Sequence, residues 1–396
     1  MMSFVPENPE SQILALTART TLDETATARL RTLLGGPVNW ERLYRMALRH
    51  GVVALLYRNL SKIQPNACPP AWRERFAAEA RVLAVNNLQQ TQELLRVVTY
   101  LEEEGVPVIP FKGPLLAALI YQDPSARVYV DLDLLVRRED FARARALIEA
   151  LGYRAYRPIR PGEEEAFLKT QLGFEFVHES GLFVIELHWA FFYTIYDLPL
   201  DPQAIWSRHR QITFAGRSIR TLGPEDLLIY LVIHGNKHRW LKLNWIADVA
   251  ELLRTYLELD WHFVLAQAQQ LGVLRILEIG LILAEEVLAA PIPGMLQKQL
   301  GQARTARRMA HRVAHQWIFQ DESDRTAFWP MFWYHFRERE RWRHRWGYLR
   351  HHLKLALTPT EKDRAFFRLP RSLALLYVFL RPVRILLERF QPGLKS

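Results

Sequence analysis

Residues 106–189 break the helical periodicity that governs the chain on either side of them. Upstream, NWERLYRMALRHGVVALLYRNL (39–60) spaces its apolar residues three and four apart, with Asn39 as N-cap. A second helix is predicted over about 71–104, stopped by Gly105. The pattern then changes. VPVIPFK (106–112) predicts a short strand, and GPLLAALIY (113–121) a short helix with Pro114 in its first turn. RVYVDLDLLV (127–136) predicts an apolar strand interrupted by two carboxylates, and EDFARARALIEALG a helix ended by Gly152. GFEFVHESGLFVIELHW predicts a hairpin, with strands at 174–178 and 182–189 and Glu179, Ser180 and Gly181 turning between them. From Gly223 the helical period returns, with Pro224 opening one helix and LKLNWIADVAELLRTYLEL forming another. The fold class is therefore α+β, a small mixed sheet between helical regions. Four parts are expected: helical 1–104, an α/β domain 105–200, helical 201–300, and a basic, aromatic helical region 301–396.

Composition narrows the class. An apolar fraction of 49% and a charged fraction of 24% exclude a disordered or collagen-like chain. Cys68 is the single cysteine, so neither an intramolecular disulfide nor a cysteine zinc site can form. A reducing cytoplasm is the simplest location. MMSFVPENPESQ has no basic stretch followed by an apolar core, so no secretory signal is expected. The longest apolar run, 373–380, is far short of the roughly 20 residues a bilayer requires, so no transmembrane segment is expected. Charge is uneven: residues 301–396 hold 20 Lys+Arg against 8 Asp+Glu, and the first 300 hold the remaining 32 and 34. Such a region attracts polyanions.

The chemistry centres on VYVDLDLLV. Strand alternation puts Asp131 and Asp133 on one face, with Arg127 and Tyr129, and sends Val130, Leu132 and Leu134 to the core. Two carboxylates on one face repel, and the usual remedy is a hard divalent cation such as Mg²⁺. The alternative is an exposed strand edge whose aspartates pair with arginines. Glu186 stands in the apolar strand VIELHW on the face of Val184 and His188. If that strand neighbours the Asp131 strand, three carboxylates converge. They would then hold two ions for in-line displacement at phosphorus. FKGP (111–114) ends a strand and opens a helix, so Gly113 and Lys112 can cradle phosphate.

The run from Lys112 to Val136, the Gly152-Tyr153 step, ELHW (186–189) and HGNKHRWLKLNWIADVAELL (234–253) occur in an order that resembles a known superfamily. It is the nucleotidyltransferase superfamily that includes DNA polymerase beta and the antibiotic nucleotidyltransferases. More closely, the chain resembles the bacterial group called nucleotidyltransferase family protein, over about residues 35–260. The resemblance implies that Asp131 and Asp133 are the metal-binding pair, Glu186 the third carboxylate and Lys112-Gly113 the phosphate loop. Two departures stand out. Gly113 follows a lysine and precedes Pro114, where the superfamily commonly has Gly-Ser or Gly-Gly. The third carboxylate is Glu186, where Asp is frequent.

The expected activity is transfer of a nucleoside monophosphate from an NTP, ATP first among them, to an unidentified hydroxyl or phosphate acceptor, with two Mg²⁺ ions (or Mn²⁺) and pyrophosphate release. Catalytic and metal-binding candidates are Asp131, Asp133 and Glu186. Phosphate-binding candidates are Lys112, Gly113 and Arg127. Acceptor-side candidates are His188, His234, Lys237, His238 and Asp248. His234 and His238 share a helix face if the helix survives Gly235. Asp248 has a plainer alternative, an interhelical pair with Arg or Lys. Residues 329–354 interleave aromatics with arginine, which suits a nucleic acid, an anionic membrane surface or a helical subdomain with solvated arginines. Two other functions fit the motifs: an Asp-x-Asp glycosyltransferase using a sugar nucleotide, and a binding module that keeps the fold without the chemistry.

Overall fold

The computed structural model describes residues 4–157, 162, 164–190, 202–319 and 328–358, with 366, 367, 376, 377, 380, 381 and 384 beyond them. The apolar run 373–380 therefore lies largely outside the described residues. The architecture is α+β. Five strands form one mixed sheet in the order β1 (Ile109–Pro110), β2 (Leu132–Leu135), β5 (Val184–His188), β4 (Gly173–His178) and β3 (Tyr153–Ala155). Only the β2–β5 pair is parallel; the other three pairings are antiparallel. A separate hairpin joins β6 (Arg210–Phe214) to β7 (Arg217–Thr221).

Local signals in the sequence set the helices. Asn39 caps the Trp40–His50 helix, its side chain accepting from the Arg42 amide at 2.9 Å. The long helix runs Pro70–Glu103, and Gly105 follows with φ +73°. Pro224 occupies the first turn of the Pro224–Lys237 helix. The segment after Lys112 forms only the short helix Gly113–Leu116, which widens into a π-helical turn over Ala117–Tyr121.

The predicted strand 127–136 is shorter than the alternation suggests. Pairing begins at Leu132, so the inward alternation holds for Leu132 and Leu134, both fully buried. It does not hold for Val130, which is 70% exposed instead of lying in the core. The cause is a competing partner. Asn87, on the long helix, donates its amide to the carbonyls of Pro124 and Arg127 at 2.6 and 2.9 Å, which pins this stretch to the helix.

Two apolar cores result. One packs the sheet against Leu94, Val97, Val98 and Leu101 of the long helix and against Phe141, Ala144 and Ile148. The other joins the N-terminal helices to the helices between Pro224 and Ile318. Phe111, at the end of β1, belongs to the second core and makes edge contacts with both His188 and Tyr230. The Pro224–Lys237 helix thereby covers the sheet face that carries the carboxylates. Among the described residues, no helix is long and apolar enough to cross a membrane.

Candidate active site

Between that helix and the sheet lies a cavity of about 760 Å³, whose walls include Lys112, Asp131, Glu186 and His188. Parallel pairing of β2 with β5 places Asp133 directly beside Glu186 in register. His188 follows two positions along β5, on the same face as Glu186. One donor atom from each of Asp133, Glu186 and His188 lies within 4.8 Å of the others. Asp131 lines the same cavity but stands outside this group. The cluster that converges is thus two carboxylates and an imidazole.

Lys112 Nζ sits 2.8 Å from Asp133 Oδ1, and both side chains are almost wholly buried. His188 Nε2 lies 3.3 Å from the same oxygen and 3.6 Å from Glu186 Oε2. Lys112 is also held over the Tyr230 ring, 5.7 Å from its centre. These contacts set the charges. Burial alone would push the Asp133 carboxyl up, but the Lys112 ammonium and the His188 hydrogen bond hold it at about 2. Burial opposes charge on His188 as well, and its bonds to Asp133 and Glu186 raise it to about 9. Glu186 is likewise opposed by burial and kept below the usual carboxylate range by His188. Asp131 has no comparable partner, and burial, then the charge of Asp133, push it above its ordinary value.

The cavity's other wall comes from the Pro224–Lys237 helix and the residue that ends it. Tyr230 stacks on His234 with ring centres 5.8 Å apart, and His234 meets His238 at 4.9 Å. His238 in turn stacks on Trp245 at 4.9 Å. Burial first, then neighbouring cations led by Lys112 for His234 and by Lys237 for His238, keep both rings neutral: His234 falls well below its ordinary value and His238 to about 4.

The sequence candidates therefore divide. Lys112, Asp131, Glu186, His188, His234, Lys237 and His238 all line the cavity. Asp133 is behind the wall, bonded to Lys112 and His188. Gly113 is buried with φ +57°, and a Cβ there would meet the Asp131 carbonyl oxygen at 3.1 Å. Its role in the structure is this close backbone approach. Arg127 and Asp248 do not line the cavity; they are bonded to each other. Asp248 does pair with an arginine, but the pair joins the Leu243–Thr255 helix to the extended segment leading into β2, not to a second helix. Sequence reasoning missed Tyr230, Tyr156, Arg157 and Phe174 on the walls. For Tyr230 a signal existed, since it precedes His234 by one helical turn.

The sequence profile of the family described as "Uncharacterised nucleotidyltransferase" matches residues 36–289. The chain belongs to that family. Nucleotidyltransferase families usually use divalent metals, and Asp133, Glu186 and His188 place donor atoms close enough together to hold one. Among solved structures, the chain is similar to the crystal structure of ANT(2")-Ia in complex with adenylyl-2"-tobramycin, at 16% identity and a TM-score of 0.33. That likeness covers 46% of this chain and 97% of the other. No curated protein matches the sequence.

Proposed function

We propose that this nucleotidyltransferase-family chain transfers a nucleoside monophosphate from an NTP, ATP being the first candidate, to a hydroxyl or phosphate acceptor and releases pyrophosphate. The observation that carries this reading is the in-register pairing of Asp133, just behind the cavity wall, with Glu186, which lines the cavity together with Asp131 and Lys112. Asp133 Oδ2 supplies a fit test for the metal. It is buried and has no hydrogen-bond partner, a costly state for a carboxylate oxygen unless a cation is meant to meet it. Asp133, Glu186 and His188 would hold a divalent cation, with Asp131 beside them; Mg²⁺ or Mn²⁺ is expected, and two ions are what the superfamily resemblance implies. Such an ion polarises the phosphoryl oxygens and favours the attacking oxyanion.

The protein's own groups account for the rest. Glu186 is ionised, its side chain 38% exposed toward the cavity, and is placed to take the acceptor's proton. As that proton leaves, the acceptor oxygen bonds to the α-phosphorus, and the bond from the α-phosphorus to the bridging oxygen breaks. Lys112 and Lys237 offset the charge of the departing pyrophosphate. His234 and His238, both neutral, offer hydrogen bonds to nucleotide or acceptor. The four-part domain division belongs to this reading, with 105–200 as the nucleotidyltransferase unit and 201–300 on the acceptor side, in a cytoplasmic protein. Exposed Trp333, Trp342 and Trp346 on the helices Phe328–Glu338 and Trp342–Leu357 stand among arginines, which favours an anionic surface as a further partner.

The test is divalent-ion-dependent pyrophosphate release from NTPs. Release by the wild-type chain and its loss in the Asp131→Ala/Asp133→Ala protein are expected. Unchanged release from that variant would remove these residues from the mechanism. Binding of a sugar nucleotide with no NTP binding would favour the glycosyltransferase. NTP binding with no turnover would favour the binding module.

A further inference from the structure

We propose that His188 is a metal ligand, and that the site therefore takes a nitrogen-accepting divalent transition ion, of the Mn²⁺, Co²⁺ or Zn²⁺ class, in preference to Mg²⁺. This rests on the metal-dependent reading above and adds to it the identity of a ligand and the class of ion.

Geometry carries the argument. Among the described residues, one donor atom from each of Asp133, Glu186 and His188 lies within 4.8 Å of the other two. The imidazole Nε2 lies 3.3 Å from an Asp133 oxygen and 3.6 Å from a Glu186 oxygen. Ligand bonds of about 2.0–2.2 Å put neighbouring donors roughly 3.0–3.5 Å apart around a single ion. The two distances from His188 Nε2 match that spacing to within about 0.1 Å, and all three donors lie within 4.8 Å of one another.

A second observation points the same way. Asp133 has one oxygen engaged, because Oδ1 meets both Lys112 Nζ and His188 Nε2. Its other oxygen, Oδ2, is buried without a partner. The Asp133 side chain is fully buried, so water cannot readily satisfy that oxygen from solvent. A cation shared with Glu186 and His188 would satisfy it.

The ring is also held in place. His188 sits on β5, hydrogen-bonded to β2 and β4, and the Phe111 ring meets it edge-on at 5.3 Å. The His188 Nε2 faces an oxygen of each carboxylate, the position from which an ion would meet all three.

The donor set then decides the ion. Mg²⁺ favours oxygen ligands in near-octahedral geometry and keeps much of its water. Imidazole nitrogen favours later first-row ions, whose affinity rises from Mn²⁺ toward Co²⁺ and beyond. Exchanging an all-oxygen trio for one containing His188 shifts the balance away from Mg²⁺.

The full chain, freed of metal with EDTA, is titrated with Mn²⁺ and examined by pulsed EPR for coupling to ¹⁴N. The expected result is a coupled nitrogen in the wild-type chain that disappears in His188→Gln. Calorimetry should show Mn²⁺ binding at least about tenfold tighter than Mg²⁺ in the wild type, and a ratio within about threefold in the variant. Mn²⁺ bound without nitrogen coupling, coupling that survives His188→Gln, or no Mn²⁺ binding at millimolar metal each overturns the proposal. A wild-type spectrum without nitrogen coupling overturns the proposal even if the variant folds poorly. Pyrophosphate release from NTP, measured on the same preparation, reports separately on the underlying reading. Release without nitrogen coupling removes His188 from the ion and leaves that reading standing. Coupling without release does the reverse.

Discussion

Arg127 and Asp248 lie 121 positions apart in sequence and meet in a bidentate pair, Nε to Oδ1 at 2.7 Å and NH2 to Oδ2 at 2.9 Å. The Tyr121 hydroxyl donates to the same Oδ1 at 2.8 Å. All three residues are buried. The pair therefore fastens the segment entering β2, and with it Asp131 and Asp133, to the Leu243–Thr255 helix. It positions the carboxylates without touching the cavity.

Breaking that pair should be costly. Asp248→Ala leaves a guanidinium buried without its anion, and removal of one partner of such a pair costs about 3–5 kcal/mol. Urea denaturation of the variant should show a loss of that order. The double variant Arg127→Met/Asp248→Leu, which strands no charge, should lose clearly less than the single one. A single-variant loss under about 1 kcal/mol would mean the two groups are solvated.

Much of the site was legible because its signals are local. Strand alternation put Glu186 and His188 on one face, and Leu132 and Leu134 in the core, from short stretches of sequence. The Pro224 start and the Gly105 stop rest on backbone chemistry that needs no tertiary context. What escaped depends on distant partners. Val130 faces outward because Asn87, some 40 positions away, takes the Arg127 carbonyl. His188 joins Asp133 and Glu186, with Asp131 outside the trio, because of a register between strands more than 50 positions apart. Periodicity cannot fix such a register. Arg127 resembled a phosphate ligand because its sequence neighbours give no hint of Asp248.

Gly235 is required for packing. A Cβ there would fall 2.4 Å from the Trp240 ring, and Trp240 is fully buried, so neither side can give way cheaply. Arg239 and Trp240 already adopt left-handed backbone, φ 54° and 55°, to bring that ring beneath the helix. Gly235→Ala should therefore destabilise the chain by about 1–3 kcal/mol despite the helix preference for alanine. The midpoint of chemical denaturation measures this. A stabilised variant would show that the ring moves aside.

His238 gives stability a pH dependence with a definite sign. Burial and the ammoniums of Lys237, Lys112 and Lys242 hold its folded pKa at about 4, against a weaker upward pull from Glu186. Its unfolded value is about 6.5. Because the folded value is depressed, the contribution is fully present above pH 6.5 and is lost as pH falls toward 4. His234 shifts in the same direction. The ring is part-exposed, so an effect on the order of 1–2 kcal/mol across that window is expected, and His238→Gln should lack it. Proton NMR of the imidazole supplies the direct check. A His238 ring titrating near 6.5 would contradict the packing described.

Glu338 tests whether the C-terminal helices serve the cavity, although they lie beyond the family match at 36–289. Its carboxylate is fully buried and accepts from the Asn236 side chain, with His335 Nδ1 at 3.1 Å and Arg339 at 2.9 Å. The Tyr334 hydroxyl donates to Asn236 Oδ1 at 2.7 Å. Burial would raise the Glu338 carboxyl, but His335 and Arg339 outweigh it and keep it ionised. Asn236 lies between His234 and Lys237, both on the cavity wall. This network therefore sets the end of the helix that lines the cavity. Glu338→Ala should cost about 3–5 kcal/mol by leaving buried donors unmatched. Glu338→Gln retains an acceptor oxygen for Asn236 and should cost less. Both variants should weaken metal–NTP binding, measured calorimetrically under conditions where the protein stays folded. Full-strength nucleotide binding by a folded Glu338→Ala chain would mean that the Phe328–Glu338 helix packs on the enzyme without shaping its site.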